Sequence, residues 1–171
     1  TLPKNEMRSG LAEMLKHGLI FDKMEWEKFL NLKDIDFADF DAFIHRSVAI
    51  KNAIVMQDPT EKNIRKALNF GHTLGHAIES YFLENENKTT LLHGEAIAAG
   101  MILESYISWQ KNLISKDEYN QIKNTIKSIF EDNSILDKKQ KEIVESIWSD
   151  LQQAYKFGSL IRLEEKLNAQ L

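Results

Sequence analysis

The chain has 171 residues, 43 % apolar and 28 % charged, an ordinary globular composition with enough apolar material for one buried core. A net charge of −4 and a pI near 5.8 argue against a nucleic-acid or anionic-membrane surface. Cysteine is absent, which excludes disulfides and thiolate ligands, so any metal must sit on His, Asp, Glu or water.

Other broad classes fall away in the same manner. No apolar run approaches the roughly 20 residues needed to span a bilayer, and no signal-peptide pattern opens the chain. A cysteine-free chain of this kind fits the cytoplasm. The first residue is Thr1 rather than methionine, and the chain is expected to be a piece of something longer. Only two prolines and seven glycines punctuate it. Apolar spacings of three and four dominate, which predicts an all-α helical bundle of about six to eight helices with short connections.

In chain order, residues 3–18 read as a helix, with Pro3 suited to the first turn and Gly18 to the end. Its apolar stripe is Leu11, Met14 and Leu15, with Glu13, Lys16 and His17 on adjoining positions. Asp22 is an N-cap for a second helix, 23–31, whose Trp26, Phe29 and Leu30 read as core. A long helix from about Ala38 to Gln57 is stopped by Asp58-Pro59. Its expected core stripe is Ile44, Val48 and Val55, interrupted by Lys51, which snorkels out or points into a cleft. Thr60–Leu68 is a short helix or turn that delivers Arg65 and Asn69.

Residues 70–84 form the next helix, with His72 and His76 at i, i+4 on one face. A polar loop, 84–90, leads to helix 94–112, where Ala96, Ala98, Ala99 and Gly100 let a neighbouring helix approach closely. Ser115 and Glu118 form a capping box that opens helix 116–130. A turn at 132–134 and a helix over 137–156, with Ile143, Ile147 and Leu151 as its stripe, complete the pattern.

Chemistry concentrates in two short runs. His72 and His76 have the spacing by which one helix face presents two imidazoles to a metal, although such pairs also occur as ordinary surface or core residues. His93 stands where a loop meets a helix. Each of the three lies beside a glycine: Gly71-His72, Gly75-His76 and His93-Gly94. A catalytic zinc-type site needs three protein ligands and an open position, which two histidines and a carboxylate supply. Glu13 and Glu95 are candidate carboxylates; Glu79 is a third, at a position more usually solvated. Lys16, Lys51 and Arg65 fall near these ligands on three segments, and cations gathered around a metal in an acidic protein suit an anionic phosphate or carboxylate substrate.

The run Arg65-x-x-Leu68-Asn69-Phe70-Gly71-His72-Thr73-x-Gly75-His76-Ala77-x-Glu79 resembles the signature of the 3-dehydroquinate synthases. Leu92-His93-Gly94-Glu95-Ala96 is similar to their second signature, and Ser9-Gly10-Leu11-Ala12-Glu13-x-x-Lys16 to the helix that opens their C-terminal domain. Ile50-Lys51, Val55, Asp58 and Glu61 follow in the family's order, so the resemblance covers about residues 5–105. It implies a single helical metal- and substrate-binding domain over 1–171, with an N-terminal Rossmann-like NAD-binding domain absent from this chain. The implied reaction converts 3-deoxy-D-arabino-heptulosonate 7-phosphate to 3-dehydroquinate and phosphate, in the shikimate route to chorismate and the aromatic amino acids. This is a phosphate-eliminating lyase reaction.

By the same resemblance Glu13, His72 and His93 are metal ligands for zinc or cobalt, which replaces the pairing of His72 with His76 that the motif alone suggests. His76, Lys51 and Arg65 take catalytic roles. Lys16, Lys51, Arg65, Asn69 and His76 hold the substrate's hydroxyl, carboxylate and phosphate groups. NAD binds mainly through the missing domain, without which the chain is expected to be inactive. Implied partners are the sugar phosphate, the chain's own NAD domain, and a second copy in a full-length homodimer, with no nucleic acid and no membrane. His17 and His45 match no functional position and read as structural.

Two departures from the family's pattern stand out. The loop before Leu92 is a few residues longer. The family also ends on an Asp-Lys-Lys segment, one lysine of which reaches the substrate phosphate. Here Asp137-Lys138-Lys139 comes early, Ala154-Tyr155-Lys156-Phe157-Gly158 stands near the expected place, and that lysine has no assignment. The rivals are another sugar-phosphate cyclase of the deoxy-inosose or valiolone synthase type, a glycerol-dehydrogenase-type enzyme, and a non-catalytic helical module with a structural metal. The cationic set argues against the second, because a small neutral alcohol needs none.

Overall fold

In the computed structural model, described over residues 4–30, 37–83 and 91–130, helix α1 (Lys4–Phe21) packs against four of the elements that follow it. Leu11, Ala12, Met14 and Leu15 are buried on one stripe of it, as the three- and four-residue spacing requires. The helix runs on through Gly18, where the sequence suggested an end. Asp22 is what stops it: its φ of −142° and ψ of 104° leave the helical region. Its carboxylate then accepts the N–H groups of Met24 (3.0 Å) and Glu25 (3.4 Å), capping α2 (Lys23–Phe29).

Helix α3 (Phe37–Gln57) has the expected bounds but turns a different face inward. Ile44 and Val48 are exposed, at 37 % and 62 %, while Phe40, Ile50 and Ile54 are buried and Phe43 and Ser47 partly so. The stripe 40–43–47–50–54 also follows a helical period, and α1 selects it by meeting Ser47 with a buried histidine, His17 (2.6 Å). Lys51 flanks this stripe and is exposed.

After Gln57 the chain turns on Asp58. Its buried carboxylate accepts the backbone N–H groups of Lys62 (3.0 Å), Asn63 (2.6 Å) and Arg65 (3.1 Å). Burial works against its ionisation, but these three bonds outweigh it and hold the carboxyl below the usual range. A 3-10 helix (Ile64–Asn69) follows and packs on α1 and α3.

Helices α4 (His72–Leu83) and α5 (His93–Gln110) cross closely. Gly71 sits at φ +79°, and a Cβ on Gly100 would lie 2.0 Å from the Gly71 carbonyl oxygen, so the contact is backbone against backbone. The small residues of α5 thus receive α4, as their size foretold. A Cβ on Gly94 would lie 2.4 Å from Ser9 Cα, and the Gly94 N–H donates to Ser9 Oγ at 2.9 Å. That approach seats the first turn of α5, and with it His93, against α1.

The Ser115–Glu118 capping box is present, with bonds of 3.1 and 2.7 Å, and opens α6 (Lys116–Phe130). Tyr119 of α6 stacks on Trp109 of α5 at 5.3 Å between centroids. One core joins Leu11, Met14, Leu15, Trp26, Phe29, Phe40, Ala98, Met101 and Ile126. The fold is all-α: six α-helices and one 3-10 helix are present, and no strand, among the described residues. None of these helices is long and apolar enough to cross a membrane. The described residues fall in the unit Thr1–Asn133. The loop at 84–90, the turn at 132–134, the helix expected at 137–156, and the segments 137–139 and 154–158 lie outside the described residues.

Candidate metal and substrate site

Helix α1 carries an ionised, half-enclosed cluster. Glu13 Oε2 accepts from Lys16 Nζ at 2.8 Å and lies 4.0 Å from His17 Nε2. Lys16 is 2 % exposed. Burial lowers its pKa, Glu13 opposes that, and the charge of Lys51 adds to the lowering. Burial also pushes the Glu13 carboxyl up, but His72 and Lys16 outweigh it and bring the value to about 2. His17, buried and beside Lys16, is lowered to about 4, so it is neutral near pH 7. It bonds Ser47 and is a structural residue in contact with the cluster; His45 is exposed on α3.

His72 opens α4 opposite Glu13. Its Nδ1 lies 3.2 Å from the Phe70 carbonyl oxygen, an acceptor only, so this nitrogen carries the hydrogen and Nε2 keeps its lone pair in the neutral ring. Nε2 faces Glu13 Oε1 at 3.3 Å, and that buried oxygen has no hydrogen-bond partner among the described residues. In the metal-free chain a proton on Nε2 joins the two, which is how His72 lowers the Glu13 carboxyl, and a divalent cation can take that proton's place. Two donors each ~2.0–2.1 Å from a tetrahedral zinc are themselves about 3.3 Å apart, so the pair fits a metal.

The first turn of α4 is held from α5. Glu104 accepts the Gly71 N–H at 2.8 Å and the Leu74 N–H at 3.4 Å, taking donors that a helix start leaves free. Burial raises its pKa against the pull of these bonds. Three imidazoles then converge: ring centroids lie 5.5 Å apart for His72–His76, 5.8 Å for His72–His93 and 5.5 Å for His76–His93. Glu79 lies among them, its carboxylate 3.3 Å from His76 Nδ1 and 3.2 Å from His93 Nδ1. Burial raises its pKa, and the two histidine contacts reverse the direction, so it is lowered. Among the described residues, His76, Glu79 and His93 are the three whose donor atoms all lie within 4.8 Å of one another. Glu95, the other candidate carboxylate, turns back to the Leu92 N–H at 3.1 Å and secures the start of α5.

The structure therefore brings Glu13, Lys16 and His72 together, and His72, His76 and His93 together, with His93 Nδ1 turned to Glu79. Arg65 and Asn69 form a separate pair. Glu61, at φ 55°, accepts from Asn69 Nδ2 at 2.9 Å and lies 3.7 Å from Arg65 Nε, while Arg65 Nη1 donates to the Pro59 carbonyl at 2.9 Å. Sequence reasoning passed over Glu104 and gave no role to Glu61, and it treated Glu79 as solvated. Glu79 stands three residues after His76, a spacing that could have identified it. Nothing local marks Glu104, 33 positions from Gly71.

A family profile described as "3-dehydroquinate synthase C-terminal" matches residues 10–153. A 3-dehydroquinate synthase of Parabacteroides distasonis is 42 % identical over 133 residues, covering 76 % of this chain and 37 % of the relative. One from Listeria welshimeri is 49 % identical over 106 residues, 60 % of this chain and 28 % of the relative. One from Chlamydia caviae is 40 % identical over 132 residues, 74 % and 33 % respectively. The matched part of the chain thus spans about a third of the length of these relatives.

Proposed function

Because the chain belongs to the 3-dehydroquinate synthase C-terminal family, we propose that it is the metal- and substrate-holding part of a synthase forming 3-dehydroquinate and phosphate from 3-deoxy-D-arabino-heptulosonate 7-phosphate. The observation that carries the reading is Glu13 Oε1, buried, without a hydrogen-bond partner among the described residues and 3.3 Å from His72 Nε2. Glu13, His72 and His93 are the residues that would hold a divalent zinc or cobalt ion. Bound there, the ion would supply Lewis acidity at a substrate hydroxyl, while NAD, held mainly by a separate domain, would take and return a hydride.

The chain's own residues bind, orient and move protons. Lys16 keeps Glu13 ionised and offers its remaining N–H donors to a substrate oxygen. Lys51 and Arg65 supply fixed positive charge for carboxylate and phosphate, and the planar Arg65 fork suits both. Glu61 holds Asn69 beside Arg65, so the amide is oriented for a substrate hydroxyl. His76, 58 % exposed, has its ring open to a substrate proton. Loss of phosphate after a neighbouring C–H is made acidic requires one base and one anion site, and the two histidine-bearing turns and the cations divide those tasks. The absence of cysteine and of a membrane-spanning helix among the described residues fits a cytoplasmic enzyme. A homodimer of the longer enzyme is part of the same reading.

The test is calorimetric titration of the metal-free chain with zinc, followed by phosphate release from the heptulosonate phosphate in the full-length parent. One ion is expected per chain, with Glu13→Ala and His93→Ala each losing it and the turnover with it. Unchanged zinc affinity in both variants would remove the assignment of ligands. Turnover by the 171-residue chain without an NAD domain would show that the division of labour is wrong.

A further inference from the structure

The carboxylate of Glu79 has no place in the ligand set above, yet it touches two of the three site histidines. It stands one turn after His76 on α4 and reaches across to His93 at the start of α5. The geometry points to Glu79 as a positioning carboxylate that sets the ring tautomers of His76 and His93 together, leaving the Nε2 lone pair of His93 for the metal and that of His76 for a substrate proton. This rests on the metal reading above.

The physical reason lies in what each atom can donate. An ionised carboxylate only accepts hydrogen bonds. Glu79 Oε2 lies 3.3 Å from His76 Nδ1 and 3.2 Å from His93 Nδ1, and Oε1 lies 3.3 Å from His93 Nδ1. Each contact is a bond only if that Nδ1 carries the hydrogen, and a neutral ring with its hydrogen on Nδ1 has its lone pair on Nε2. His72 reaches the same state by a different acceptor, the Phe70 carbonyl. All three rings then present Nε2. A metal-bound histidine whose other nitrogen donates to a carboxylate is also a more basic, better oriented ligand.

The compact trio His76, Glu79 and His93 admits an opposite reading, in which those three atoms themselves hold the ion. That reading needs lone pairs on the Nδ1 atoms facing Glu79, the reverse tautomers. The metal-free tautomers test what Glu79 does to the rings, and the cobalt affinities of the Glu79 and His76 variants separate the two ligand sets.

The experiment records long-range proton–nitrogen NMR spectra of the histidine side chains in the 15N-labelled, metal-free 171-residue chain at neutral pH. The rings are assigned by His72→Gln, His76→Gln and His93→Gln. His76 and His93 are expected as Nδ1–H tautomers, shifting toward Nε2–H in Glu79→Gln with His72 unmoved. A purely structural role for Glu79 would not move tautomers. Cobalt titration should show Glu79→Gln binding about 10- to 100-fold more weakly than wild type, with the same absorption spectrum, while Glu13→Gln loses binding.

Nε2–H tautomers at His76 and His93 in the wild-type chain would overturn the inference. So would a Glu79→Gln or His76→Gln variant that loses cobalt as completely as Glu13→Gln, which would make those side chains ligands. If the wild-type chain takes up no cobalt, the metal reading fails, while the tautomers of the metal-free protein still decide what Glu79 does.

Discussion

Replacing Glu104 by alanine removes the acceptor that α5 lends to the start of α4. The Gly71 N–H, at 2.8 Å from a charged oxygen, loses a bond of the stronger kind, worth about 1.5–3 kcal/mol. The Leu74 contact at 3.4 Å adds little. Part of the loss is offset, because burial disfavours the ionised carboxyl that the variant also removes. The net expectation is about 2 kcal/mol, or roughly 4–8 °C in Tm for a chain of this size. Glu104→Gln keeps one side-chain oxygen for Gly71 and should lose below about 1 kcal/mol. Urea and thermal denaturation followed by circular dichroism, with and without zinc, measure both. Zinc affinity should fall further in the alanine variant, because His72 follows directly on the Gly71 turn. An alanine variant within about 0.5 kcal/mol of wild type would refute the capping role. A glutamine variant as damaged as the alanine would show that the charge matters rather than the acceptor.

Acid should weaken the metal-free protein in two windows. His17 has a folded pKa of about 4 against an ordinary 6.5, so its contribution is complete above pH 6.5 and is lost as pH falls toward 4. Glu13 has a folded value of about 2 against 4.5, so its contribution is complete above pH 4.5 and is lost toward 2. At 1.36 kcal/mol per unit each is worth roughly 3 kcal/mol at most, and solvent screening cuts the partly exposed Glu13 to about half. Urea midpoints across a pH series should show both losses, with the His17 loss between 6.5 and 4.5 absent in His17→Gln. A wild-type curve flat from pH 7 to 4 would contradict the burial assigned to His17. Gly94→Ala should cost about 1–3 kcal/mol, since its Cβ would lie 2.4 Å from Ser9 Cα. It should also weaken zinc binding by moving His93, and a variant with wild-type Tm and affinity would show that α1 and α5 are not in register through that glycine.

Local signals were legible wherever one helix decides them. Asp22 and the Ser115–Glu118 pair cap as read, because capping involves only neighbouring residues. The bounds of α3 and α6 followed from periodicity and from Asp58-Pro59. The inward face of α3 did not, because two stripes of one helix share the same period and only the partner helix chooses between them. The end of α1 was misplaced because Gly18 permits a helix end without requiring one, whereas the dihedrals of Asp22 impose it.

The sequence by itself determined an all-α chain, the type of each donor and the cations near them. It also carried the family signature, since those depend on residue identity at short spacings. Tertiary structure decided that His93 of α5 meets Glu79 of α4 and that His72 of α4 faces Glu13 of α1, whereas Phe70 and Glu79 reach His72 and His76 from two and three residues away. It also decided that α4 is held at its first turn by Glu104 and that α5 reaches α1 through Gly94. Hydrogen-bond direction and close backbone approach are properties of packed pairs, and no spacing along one chain encodes them.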